Sequence, residues 1–257
     1  MLKLIKFEFM RKKMVFLIAG ALTVLGQLFA MFQYYKLDET VRNYAGEEIF
    51  TIFMSFTIFG FGLLYFIDLI LLIKDDLFKQ EGYMLFMTPH NGYKILGSKL
   101  IFALLEGFII AVVYLALAYL NVNMMGMGPI DFRMPEFDVA WIELIVKGLF
   151  LGVIMLIEFA LTVYLSFALF KSLFTNARFK GLITFGIFIV INMVKGQIVE
   201  LIGKVFGRSF ESIHLNASGA MLEAANSAMT LGIGATLVSA IILFFATGYL
   251  LENRINL

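Results

Sequence analysis

Apolar residues gather along this chain into five long runs, residues 14–35, 49–73, 100–120, 144–170 and 231–251, separated by shorter polar connections. A helix rises ~1.5 Å per residue, so about 20 apolar residues cross a hydrocarbon core of about 30 Å. Each run is long enough to do so. A sixth apolar stretch begins at Gly181 and reaches a charge, Lys195, after 14 residues. That is only about 21 Å of helix, so this span is expected to continue through Lys195, Gln197 and Glu200. The pattern predicts an all-α polytopic membrane protein of six transmembrane helices. No polar segment between them is long enough for a folded soluble domain, so residues 1–257 are read as a single transmembrane domain.

Composition supports this. The chain is 61% hydrophobic with a mean hydropathy of +0.92, against roughly 45–50% apolar residues in soluble domains. Formal net charge is +1, which argues against a nucleic-acid partner. Zero Cys rules out disulfides and thiolate metal sites, and the two His, His90 and His214, are too far apart in sequence to suggest a His-rich metal site. The basic start "MLKLIKFEFMRKK" followed by an apolar run resembles a signal peptide. The run of about 22 residues exceeds the roughly 7–15 of a signal-peptide core, so it is read as a retained first span.

Charge orients the spans. Thirteen of the 20 Lys and Arg fall in the N-terminal segment, the connections 74–99 and 171–180, and the tail. The positive-inside rule therefore puts both termini in the cytoplasm. Interfacial anchors are expected at Tyr34, Tyr35, Tyr119 and Trp141 outside, and at Tyr83, Tyr93 and Tyr249 inside. Residues 1–13 place Leu2, Ile5 and Phe9 on one helical face, which suggests an in-plane interfacial segment or a plain positive-inside anchor.

The connection 74–99 carries five apolar residues in a polar setting: Tyr83, Met84, Leu85, Phe86 and Met87, preceded by Glu81 and Gly82 and followed by Thr88 and Pro89. An apolar patch on a cytoplasmic connection serves either the inner leaflet or a protein partner. Gly82 permits a sharp reversal, and Pro89 favours a break before the next helix. With a basic start, six spans, Lys94 and Lys99 opening span three, and the ending Tyr249-Leu250-Leu251-Glu252, the chain resembles the membrane subunit of ABC-2-type transporters. The resemblance implies that Glu81 to Pro89 form a coupling helix docking into an ATP-binding-cassette ATPase. It implies two such ATPase copies, a second permease copy or close relative, and ATP and Mg held by the ATPase. This chain itself would bind no cofactor, catalyse nothing and reside in the bacterial cytoplasmic membrane. The sequence has no Gly-x-x-x-x-Gly-Lys-Ser/Thr, so it lacks a P-loop to cradle ATP. Within the family it is similar to exporters of amphipathic peptides, the phenol-soluble modulin and lantibiotic self-protection kind. A content of 29 Phe and 15 Met suits hydrophobic or amphipathic ligands, and suits lipid-facing filler equally.

Acidic residues inside spans are costly and point to function. Asp68 and Glu106 each lie roughly 8–9 Å from the cytoplasmic ends of spans two and three. They are expected to be neighbours if those spans face each other, or to be hydrated with Lys74 or Lys99 snorkelling nearby. Glu158, about 18 Å deep, falls within about one turn of Lys195. The two are expected to pair or to line a hydrated cavity; the alternative is Lys195 snorkelling outward. After Gly196, Ile198, Leu201, Ile202, Val205 and Phe206 recur at helical spacing opposite Glu200, Lys204, Arg208 and Glu211. Residues 196–230 are therefore expected as short outer helices between spans five and six. The small residues Gly60, Gly62, Gly232, Gly234, Ala235 and Ser239 offer close helix contacts within or between chains. An ion- or proton-coupled secondary transporter using Glu158 and Lys195 remains the competing class; an intramembrane protease is remote without His-Glu-x-x-His.

Overall fold

In the computed structural model, residues 2–37, 39–78, 91–124, 139–174, 178–207 and 218–253 are described. They form α1 (Leu2–Lys36), α2 (Glu39–Phe78), α3 (Gly92–Met124), α4 (Val139–Leu173), α5 (Lys180–Gly207) and α6 (Ser218–Asn253), with no strand among the described residues. Each contains a stretch long and apolar enough to cross a membrane, with mean hydropathy from 1.6 to 2.6. Backbone polar groups inside hydrocarbon must be satisfied within the segment, which long helices do. The chain has the architecture of a multi-pass membrane protein.

Two expectations are revised. Residues 2–13 are not a separate in-plane helix; α1 runs unbroken from Leu2 to Lys36. Nothing in its first turns interrupts the i→i−4 ladder, since the first glycine is Gly20 and no proline precedes it. Likewise α5 continues through Gly196 to Gly207, and residues 218–230 are the first turns of α6 rather than a short outer helix. One glycine in a helix costs about 1 kcal/mol, too little to end a long helix. The intervening residues 208–217 lie outside the described residues.

Helix α1 is amphipathic in the sense opposite to that of a soluble protein. In α1 the buried residues are Glu8, Lys12, Gln27, Ala30 and Tyr34, a stripe at helical spacing that is mostly polar. Leu22, Leu25, Phe29 and Phe32 point outward. Leu149 on α4 is 69% exposed and Leu182 on α5 74%. Such surfaces need lipid to cover them.

The chain divides into two compact units. The first comprises Met1–Leu69 and Ile101–Arg133. Here Ala30, Tyr34 and Phe50 form a buried cluster flanked by Ile49, Phe53 and Met124, so Tyr34 packs inward rather than anchoring at the interface. A Cβ on Gly26 would lie 2.9 Å from the Phe53 ring, so only glycine lets that ring close onto α1. The Phe9 and Phe102 rings meet edge-to-face, with centroids 4.9 Å apart.

The second unit comprises Ile70–Leu100 and Met134–Leu257. In it α4 packs against both α5 and α6, burying Leu161, Tyr164, Ala168 and Phe170. Gly92 opens α3 in contact with α6, where a Cβ would meet the Gly248 carbonyl and the Glu252 amide, each at 3.1 Å. Tyr93, half-buried, lies against Gly248, Phe244 and Phe245. Phe78, the last residue of α2, is held by Phe167 and Phe170 and by the ammonium groups of Lys171 and Lys180 at 5.8 and 5.4 Å from its ring. Lipid tails are as apolar as leucine, so these contacts act through close packing and polar bonds rather than through water exclusion.

Candidate functional site: polar clusters inside the helices

In the second unit a hydrogen-bonded ion pair joins three helices. Lys195 of α5 places Nζ 3.1 Å from Oε1 of Glu158 on α4. The same Oε1 accepts from Ser239 Oγ of α6 at 2.5 Å. Lys195 Nζ also donates to Thr162 Oγ1 at 3.1 Å, and that hydroxyl in turn donates to the Glu158 carbonyl at 2.8 Å. Thr162 lies one turn beyond Glu158, so both face α5. The side chains retain 23% exposure at Lys195 and 14% at Glu158. The pair is thus only partly covered by the protein. Depth along the spans indicated Glu158 and Lys195. Thr162 was missed, although its i, i+4 spacing from Glu158 was a readable signal, and Ser239 was named only as a small residue for close helix contact.

In the first unit Lys12 of α1 bonds Asp68 Oδ2 of α2 and lies 4.0 Å from Glu106 Oε2 of α3. The face of Phe102 approaches its ammonium at 4.9 Å. Beside it Arg11 pairs with buried Glu8 at 2.6 Å. Asp68 and Glu106 do converge, but through a cation expected only to anchor the N-terminus. Lys74 does not serve them; it is exposed. Nearer the other end of α1, Gln27 Nε2 donates to Asn121 Oδ1 of α3 at 2.5 Å.

Lys99 is the clearest departure from expectation. It does not snorkel: it is 1% exposed, pairs with Asp76 of α2 and donates to the Leu72 carbonyl at 3.0 Å. Both partners lie in the second unit. Its partner Asp76 is equally buried. A run such as Lys74-Asp75-Asp76 looks solvated in sequence. Helical rotation turns Lys74 outward and Asp76 inward.

Of the remaining expected site residues, Glu200 is exposed on α5. Glu81, Gly82, Tyr83, Met84, Leu85, Phe86, Met87, Thr88 and Pro89 lie outside the described residues. Among the described residues no group of three or more His, Cys, Asp or Glu is placed to hold a metal ion. In comparisons with known proteins, no family model, no curated protein and no solved structure matches this chain.

Proposed function

We propose that this chain is the membrane-spanning subunit of an ATP-driven exporter of the ABC-2 type in a bacterial cytoplasmic membrane. It works with a second permease copy and two copies of a separate ATPase, and moves a hydrophobic or amphipathic substrate, a peptide on this reading. Both termini and residues 79–90 face the cytoplasm, and Glu81 to Pro89 form the element that meets the ATPase. The observation that carries the reading is the buried Asp76–Lys99 pair, which joins the last turn of α2 to a point about two turns into α3. Together with the Lys99–Leu72 hydrogen bond it ties the two helices. A push on residues 79–90 is therefore delivered to both helices together. The absence of a P-loop in the sequence fits an energy source on another chain. The test is co-purification of an ATP-binding-cassette ATPase with the chain, compared between the wild type and Phe86→Asp plus Met87→Asp. Loss of the ATPase from a stable double mutant supports the reading, and undiminished co-purification sinks it.

The partly open Glu158–Lys195 pair favours a second reading, a proton- or ion-coupled secondary transporter working without an ATPase. Transport abolished by an uncoupler and indifferent to ATP depletion selects that reading over the first.

A further inference from the structure

We propose that the adjoining ends of α2, α4 and α5 form a headgroup site for one anionic phospholipid, centred on Lys171 and Lys180. The site lies within the second unit. It needs only the multi-pass architecture and stands whichever transport reaction the chain serves.

Lys171 lies in the last turn of α4 and Lys180 opens α5. Both ammonium groups stand over the one ring of Phe78, at 5.8 and 5.4 Å from its centroid. That ring is itself packed against Phe167 and Phe170, so it is a fixed platform for the two charges. Arg178, two residues before Lys180, adds a third and exposed cation. Among the described residues none of these three is paired with a carboxylate. Lys12, Lys99, Lys147 and Lys195 each meet one. Asp76, the buried acid at the same end of α2, is taken by Lys99. The first turn of α5 holds no acidic residue, so the partial positive charge of its N-terminus adds to the same field. Two ammonium groups drawn onto one ring repel each other, and the negative ring face offsets only part of that cost. An anion lying between them removes the rest.

The surroundings say which anion. Leu173, Phe179 and Leu182 are exposed beside the cations, and Phe174, stacked on Phe170 at 5.6 Å, is partly so. A small soluble anion leaves this apolar surface uncovered; a phospholipid covers it with acyl chains while its phosphate meets the lysines. The membrane-spanning stretches Trp141–Leu173 and Lys180–Ile198 end and begin here, at the level where headgroups lie. Lysine stems run along apolar surface with the charge held at that level, and each ammonium has three donors for phosphate oxygens. Basic groups gathered between helix ends are a surface that takes anionic headgroups.

The test uses the full chain in nanodiscs of phosphatidylcholine with phosphatidylglycerol titrated in, and counts lipids retained on release by native mass spectrometry. The wild type is expected to keep one phosphatidylglycerol in preference to phosphatidylcholine. Lys171→Gln plus Lys180→Gln is expected to lower that preference about thirtyfold, on the order of fivefold per lysine. Lys3→Gln plus Lys94→Gln, which removes two exposed lysines of other helices, is expected to leave it unchanged. A wild type that retains both lipids equally overturns the site without any variant having to fold. Equal losses in the two double variants overturn it as well, because they show a diffuse attraction of basic residues for an anionic bilayer.

Discussion

Lys99 shows how much a single side chain can decide in this molecule. Its ammonium is 1% exposed and is satisfied by Asp76 and by the Leu72 carbonyl. Removing one partner of a buried pair leaves the other charge stranded, which costs about 3–5 kcal/mol. Lys99→Met is therefore expected to lower resistance to denaturation steeply. The double variant Asp76→Asn plus Lys99→Met is expected to recover most of the loss, as read by thermal aggregation in detergent. A double variant no better than Lys99→Met shows that the charges do not act as a pair. At Glu158 the hydroxyl contribution is smaller. Interhelical hydrogen bonds in membranes average about 0.6 kcal/mol, so Ser239→Ala is expected to be mild. Lys195→Met, which strands the Glu158 carboxylate, is expected to cost several times more. Equal effects of Ser239→Ala and Lys195→Met contradict that ranking. Glu158 and Lys195 were legible in the sequence because a charge inside an apolar run stands out against it. Asp76 and Lys99 were not, because both lie at run ends, where charge is ordinary.

The helices are set by apolar length, and their faces by which polar groups find partners. In α1 the stripe Glu8, Lys12, Gln27 and Tyr34 turns inward because each of these residues has a polar or aromatic neighbour there, while lipid accepts the leucines outside. Where helices approach most closely, glycine decides. The Cβ of Gly92→Ala would meet backbone atoms of α6 at 3.1 Å, and backbone cannot rotate away as a side chain can. This substitution is expected to cost about 1–3 kcal/mol, as overpacking typically does. Gly152→Ala has no neighbour within 4 Å of the added methyl, and should be neutral or stabilising by up to about 1 kcal/mol through helix propensity. Melting of both variants in the same detergent checks the contrast; equal effects refute a close contact at Gly92. Helix ends were harder to read than helix cores. The change of pattern after Gly196 suggested an interfacial helix, but backbone hydrogen bonding carries α5 to Gly207.

For the whole molecule, absence of cysteine in the native chain makes topology directly measurable. The charge distribution predicts that Lys3→Cys and Lys94→Cys are protected in intact cells from a membrane-impermeant maleimide, while Arg133→Cys is labelled. Labelling of Lys3→Cys from outside reverses the orientation expected from charge, and with it the proposed cytoplasmic position of residues 79–90. This measurement also bears on the proposed ATPase contact, because a connection outside the cell cannot meet a cytoplasmic partner.

The sequence alone determined that six helices are long and apolar enough to cross a membrane, because the free energy of placing about 20 residues in hydrocarbon is nearly a property of their composition. It also singled out Glu158, Lys195, Asp68 and Glu106, because intramembrane charge is rare enough to stand out in a linear text. Only the tertiary structure decided which charges meet. Pairing depends on the rotation of each helix about its axis, and a shift of one residue turns a side chain by about 100°. That rotation gave Lys12 to Asp68 and Glu106, and Lys99 to Asp76, where composition offered several cations of equal standing.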